Sequence, residues 1–261
     1  MTEAAVRTTC PYCGVGCGVL ATRAGDGTVA IAGDPDHPAN RGRLCSKGSA
    51  LGETLSLEGR LLEPMVVGKQ ASWNDALDVV ADRFAATIAT YGPDSVAFYV
   101  SGQLLTEDYY VANKLMKGFI GAANIDSNSR LCMASSVAGH RRAFGSDTVP
   151  GSYDDFDEAD LVVLVGSNLA WCHPVLYQRL ATAREKRGTR VVVIDPRRTA
   201  TCDIADHHLA IAPDSDLALF NGLLVTLVGG NATNRAFITQ HTKGFKRAFE
   251  AASRIDRKSV V

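Results

Sequence analysis

The chain has 261 residues, 46% of them hydrophobic and 24 of them glycine, with 27 basic side chains against 28 acidic ones. That makeup excludes extended disorder and leaves apolar material for one or two cores. The near-zero net charge of −1 gives no electrostatic reason to expect nucleic acid or an anionic membrane as a partner, so any anion site has to be local.

The first residues, MTEAAVRTTC, reach Cys10 with neither an apolar core nor a twin-arginine pair, so no export signal is expected and the predicted location is the cytoplasm. Seven cysteines in that compartment are expected to be thiols, and those that cluster are expected to ligate metal. Residues 1–58 carry short alternating runs at 19–22 and 28–32 among many glycines, which predicts a small β-rich module stabilised by a metal centre. Ser72 with Asp75 resembles an N-terminal cap, and Leu77, Val80, Phe84 and Ile88 then follow at helical spacing until Gly92-Pro93. A strand is predicted over 95–100 and a helix around Val111, Leu115 and Phe119. Beyond Asp160 come a strand (161–165), a helix (174–186), strands at 190–194 and 208–212, and a helix (217–228), an order that predicts a parallel α/β sheet. The last helix is the most apolar stretch. Interrupted by Asn221 and shorter than the roughly 20 residues needed to span a bilayer, it is predicted to be buried. The loops after these strands, Gly166-Ser167-Asn168, 195–199 and 213–216, lie where such sheets bind nucleotides. The closing DRKSVV continues no pattern and is expected to be a non-native tail on a truncated gene fragment.

Cys10, Cys13, Cys17 and Cys45 have the spacing C-x2-C-x3-C-x27-C. Three close thiolates on a glycine-rich loop can hold three corners of a cubane cluster, which a distant fourth closes. Gly14, Gly16 and Gly18 let the backbone bend around it and bring amide hydrogens toward its sulfurs. Tetrahedral zinc is the alternative, but structural zinc usually takes two paired knuckles rather than a triplet and a singleton.

These cysteines and the following Ser46-Lys47-Gly48 resemble the opening of the molybdopterin oxidoreductases, a family that includes dimethyl sulfoxide reductase, formate dehydrogenase and bacterial nitrate reductases. The resemblance runs to about residue 250. It implies a small β-rich [4Fe–4S] module at 1–58 and Rossmann-like parallel α/β molybdopterin-binding domains, incomplete, over 59–255, followed by the tail at 256–261. Lys47 takes the place of the lysine between cluster and pterin. Asn128-Ser-Arg-Leu-Cys132-Met133-Ala134-Ser135 resembles the segment whose cysteine ligates molybdenum, and Met133 stands where formate dehydrogenases place histidine. Gly151-Ser-Tyr-Asp-Asp agrees with the nitrate reductase form. Gly166, Ser167 and Asn168, with His173-Pro174, resemble the grip on a pterin guanine dinucleotide, and a strand end opening into a helix N-terminus also suits a diphosphate on physical grounds. Asp195 stands where an acidic residue would meet a ribose, Ser215 and Asp216 are nucleotide contacts or helix caps, and Gln103 and Asn128 resemble pterin contacts. His207 and His208 are expected to be structural or solvated, and Cys172 and Cys202 receive no role.

The resemblance thus implies a [4Fe–4S] cluster, a molybdenum bis(molybdopterin guanine dinucleotide) centre and assimilatory reduction of nitrate to nitrite. Electrons would come from a reductase subunit, ferredoxin or flavodoxin, without nucleic acid or membrane as a partner. Cys132 and Lys47 would be catalytic. The fragment alone is expected to be inactive. Formate oxidation, and a noncatalytic electron-transfer subunit like the cluster-bearing subunit of respiratory complex I, are the competing readings.

Overall fold

The computed structural model describes residues 4–254, with the side chains of Leu131 and Cys132 also outside the description. The proposed tail at 256–261 therefore lies outside the described residues. Two compact units emerge: residues up to Leu55 together with those from Gly151 onward, and Ser56–Pro150 between them.

In the first unit, β1 (Val6–Thr9), β2 (Gly18–Arg23) and β3 (Val29–Gly33) form an antiparallel sheet in that order, with Thr9 opposite Gly18 and Val19 opposite Gly33. The cysteine triplet is the loop between β1 and β2. Fully buried Asn40 fastens the start of β2: its Oδ1 accepts the Gly18 N–H at 2.8 Å, and its Nδ2 donates to the Gly18 and Arg43 carbonyls at 3.0 and 2.8 Å. Gly33 has to be glycine, since a Cβ there would lie 2.1 Å from the Gly42 carbonyl oxygen. The short α1 (Ser46–Ser49) follows Cys45 directly.

The second unit opens with the small hairpin of β4 (Met65–Val66) and β5 (Lys69–Gln70). Helix α2 (Trp73–Tyr91) begins as expected at Ser72, whose Oγ accepts the Asp75 N–H at 3.1 Å, and ends at Gly92. Next come β6 (Phe98–Val100), α3 (Thr106–Lys114), a wide π-helical turn over Leu115–Ile120, β7 (Ile125–Ser127) and α4 (Ser129–Phe144). The predicted strand at 95–100 is shorter because Pro93–Ser95 forms a 3₁₀ turn and β7 offers only three partners, Phe98 facing Ile125 in parallel register. Helical periodicity through Val111, Leu115 and Phe119 spans α3 and the π turn rather than one helix. Val96, Met116 and Ala122 form the buried centre, with Phe84, Ile88, Phe98, Ile120 and Ile125 around it.

Back in the first unit, α5 (Asp155–Glu158) leads into β8 (Leu161–Val165), α6 (Leu169–Cys172), α7 (Pro174–Arg187), β9 (Arg190–Ile194), β10 (His207–Leu209), α8 (Asp216–Gly229), α9 (Arg235–His241) and α10 (Phe245–Ala252). β10, β9 and β8 form a parallel sheet in that order, as the alternation of strand and helix predicts. β10 stops at Leu209, short of the predicted 212, because its partner β9 ends at Ile194 opposite it, just before Pro196. Val175, Leu176 and Leu180 of α7 pack with Leu164, Val191 and Val193, with Val15 of the cysteine loop and with Val19 of β2, so both parts of the unit share one core. Each such Val or Leu contributes about 1.5–3 kcal/mol when fully buried. α8 corrects the expectation of a buried helix: it has no buried residue, and Leu217, Phe220, Leu223 and Leu227 are exposed. Its apolar residues surround the helix, and packing with α10 leaves Leu219, Leu224, Val225 and Val228 half-buried while the opposite side stays open. No described helix is long and apolar enough to cross a membrane.

Candidate iron–sulfur and molybdopterin site

The loop from Cys10 to Cys17 closes on itself through the Cys10 N–H, which donates to the Cys17 carbonyl at 2.8 Å, and the Gly16 N–H, which donates to that of Cys13 at 3.2 Å. Gly16, at φ +63°, makes the left-handed turn that lets the chain double back. Cys45 joins from the N-cap of α1, and a Cβ on Gly48, in the same helix, would sit 3.9 Å from the Cys10 sulfur. Cys10 and Cys17 are buried, Cys13 and Cys45 partly so, and no described cysteine is disulfide-bonded.

Burial, then Cys10, Cys13 and Cys45, push the Cys17 thiol up to about 11. An electrophilic metal centre that displaces its proton would relieve that cost. Among the described residues no three His, Cys, Asp or Glu side chains close on one ion position. Four thiols supplied by one closed loop and the N-cap of α1 match the donor set of a cubane cluster, which takes one thiolate at each iron. The donor set therefore fits the [4Fe–4S] group. Lys47 stands exposed on α1, two residues after Cys45.

The segment before β8 grips this loop. Tyr153 donates its phenol hydrogen to the Gly14 carbonyl at 2.8 Å. Burial, followed by the Cys13 and Cys17 thiols, raises the Tyr153 pKa and keeps it a donor. Arg179 of α7, with no exposed side-chain surface, ion-pairs with Asp157 and with Asp154 at 2.9 Å, and its Nη1 donates to the Pro38 and Ala39 carbonyls at 2.9 and 3.0 Å. Arg41 pairs with the same two carboxylates. Sequence reading missed Arg179, because a lone arginine in a basic, polar helix gives no sign of burial.

At the carboxyl end of the parallel sheet, Gly166 (φ +57°) turns the chain out of β8, and Asn168 and His173 stand at the N-caps of α6 and α7. The Asn168 side-chain oxygen accepts from the buried Thr201 hydroxyl at 3.2 Å, and Thr201 Oγ1 accepts the Ala170 N–H at 3.1 Å. Asp195 Oδ1 accepts the Arg197 N–H at 2.8 Å, an Asx turn, while His208 Nε2 lies 2.9 Å from the Asp195 carbonyl, the structural role expected of it. In the third loop Ser215 donates to the Ala212 carbonyl at 2.5 Å rather than capping α8, and Asp216 is the first residue of that helix. Between β9 and β10 the buried Thr199 hydroxyl has no partner among the described residues. Buried hydroxyls are normally satisfied, so a polar ligand in this loop fits. His173 also faces the cysteine loop, its Nε2 3.5 Å from where a Gly14 Cβ would sit, so the first nucleotide loop and the cysteine loop meet within one unit.

In the second unit, Gln103 and Asn128 lie in the loops at the carboxyl ends of the adjacent parallel strands β6 and β7. Asn128 Oδ1 accepts the Gly102 N–H at 2.7 Å, tying the two loops together. Cys132 falls in the first turn of α4, with its side chain outside the described residues.

Comparison with known proteins bears on both units. The profile described as "Molybdopterin oxidoreductase Fe4S4 domain" matches residues 3–56, and that described as "Molybdopterin oxidoreductase" matches residues 60–252. The chain is similar to "Nitrate reductase" of Klebsiella oxytoca, 65% identical over 91% of this chain and 27% of that protein. It is 52% identical to "Nitrate reductase" of Shewanella frigidimarina over 92% of this chain and 26% of the relative, and 45% identical to "Periplasmic nitrate reductase" of Desulfovibrio desulfuricans over 89% and 32%. The chain thus spans between a quarter and a third of these relatives. Among solved structures, acetylene hydratase from Pelobacter acetylenicus matches with a TM-score of 0.81 at 25% identity, covering 97% of this chain and 35% of the other.

Proposed function

This chain belongs to the molybdopterin oxidoreductase family, and from that membership we propose that the protein reduces nitrate to nitrite. The observation that carries the reading is the joint presence, in one unit, of four converging thiols and the Gly166–Asn168 loop, with His173 against Gly14 between them. Similarity to three nitrate reductases supplies the substrate.

In this reading Cys10, Cys13, Cys17 and Cys45 hold the [4Fe–4S] cluster, and Cys132 supplies the thiolate to molybdenum. When bound, the cluster provides one-electron relay and the molybdenum pterin two-electron oxygen-atom chemistry. Lys47 places a positive charge beside the cluster, which favours arrival of electrons. Gly166, Ser167, Asn168 and His173, with Asp195, Thr199, Ser215 and Asp216, hold the guanine dinucleotide tail of a pterin. Here the loop amides and the α7 N-terminus favour the diphosphate. Gln103 and Asn128 meet the pterin, and a second dinucleotide pterin completes the bis form. The overall conversion takes two electrons and two protons per nitrate and yields nitrite and water. A reductase subunit, ferredoxin or flavodoxin is the proposed donor. Nitrate assimilation in the cytoplasm is the proposed setting.

Turnover of the anaerobically purified full-length protein with reduced viologen tests this directly. Nitrate-dependent viologen oxidation, abolished by Cys132→Ala, is expected. Viologen reduction by formate without nitrate activity would overturn the reading.

A further inference from the structure

We propose that Tyr153 is a positioning residue for the iron–sulfur cluster, setting its reduction potential through the hydrogen bond from its phenol to the Gly14 carbonyl. The inference rests on the reading that the four thiols hold that cluster.

Gly14 lies inside the arc from Cys13 to Cys17, so its carbonyl belongs to the Gly14–Val15 peptide, between two proposed ligands. A donated hydrogen bond polarises that peptide and makes the Val15 N–H a stronger donor, since linked hydrogen bonds reinforce one another. Amide donors around an iron–sulfur cluster stabilise its more negative, reduced form. The phenol also turns the positive end of its O–H dipole toward the loop. Both effects act in one direction, and loss of the hydroxyl should make the cluster harder to reduce.

The anchoring of Tyr153 makes it suited to this role. The next residue, Asp154, and Asp157 one turn on are both paired with fully buried Arg179, which also holds the Pro38 and Ala39 carbonyls of the cysteine-bearing module. The phenol is thus presented from a segment fixed to the module it acts on. Tyr177 packs against the same core but makes no bond to the loop, which makes it the natural control.

The test is a redox titration of the cluster, followed by electron paramagnetic resonance, in the full-length holoprotein carrying Tyr153→Phe, with Tyr177→Phe alongside. Expected are wild-type iron content, a midpoint displaced to more negative potential and an altered cluster spectrum for Tyr153→Phe, and no displacement for Tyr177→Phe. If the phenylalanine variant loses iron, 3-fluorotyrosine at position 153, a stronger donor of nearly unchanged shape, decides the matter by displacing the midpoint the opposite way at mildly acidic pH. A clustered wild type whose potential and spectrum are indifferent to these changes would overturn the inference alone. A wild type without iron would overturn the cluster reading and the inference with it.

Discussion

The two units bury their residues very differently. The first has a buried cluster of thirteen apolar residues that runs from the cysteine loop through α7 to the middle of the parallel sheet, fastened further by buried Asn40, Arg179 and Thr201. Among the described residues the second centres on Val96, Met116 and Ala122, while its longest helix, α2, has no buried residue and exposes Trp73, Leu77, Val79 and Val80. Well-packed interiors hold side chains in single positions. A cluster tuned by fixed hydrogen bonds needs such a scaffold, and the cysteine ligands lie in the denser unit. The segment proposed to bind molybdenum lies in the sparser one, which is expected to open locally at lower free energy.

The largest effect should come from Arg179→Ala, which leaves Asp154, Asp157 and two carbonyls without their buried partner and costs about 3 kcal/mol. Chemical denaturation should show the loss, with hydrogen exchange accelerated in β9 and unchanged in α2; equal acceleration in both would mean that the units unfold as one block and would erase the contrast. In the sparser unit, Ser72→Ala removes the cap of α2 and should cost about 1 kcal/mol, seen as faster exchange in the first turn of α2 with β9 unaffected. The smallest effect is a pH dependence confined to the dense unit. The hydrogen bond from Arg184, then the Val191 N–H, lower Asp206 from 3.8 to about 2. Its stabilisation is complete above the ordinary value and lost as pH falls through the depressed one, so Asp206→Asn should remove a component of acid destabilisation between about pH 4 and 2. An unchanged acid limb would show that the ion pair contributes nothing.

The same contrast explains what could be read from the sequence. β8 and β9 coincide with their predicted spans because LVVLV and RVVVI are short, valine-rich apolar runs, β9 closed by Asp195-Pro196. α7 is announced by Pro174 at its first position and closed by Gly188 at φ +76°. In the sparser unit β7 and the start of α4 are not legible, since IDSNSRLCMASS carries no period of either kind, although His140, Arg141 and Arg142 near its end read as a polar helix face; in the denser unit β1, exposed throughout, shows no alternation. The cysteine spacing pointed to a cluster before any coordinates. The partners of that loop did not show, because Tyr153, Arg179 and His173 lie more than a hundred residues away and their contacts depend on the parallel sheet having formed. Thr199 likewise stands out only through a buried hydroxyl left without a partner.

Metal analysis of the anaerobically purified full-length protein and of its Cys45→Ser and Cys132→Ala variants is the most direct test of the central claim. The expected result is iron and molybdenum near four to one in the wild type, iron lost in Cys45→Ser, and iron retained with nitrate turnover abolished in Cys132→Ala. Zinc in place of iron, or iron without molybdenum in the wild type, would contradict it.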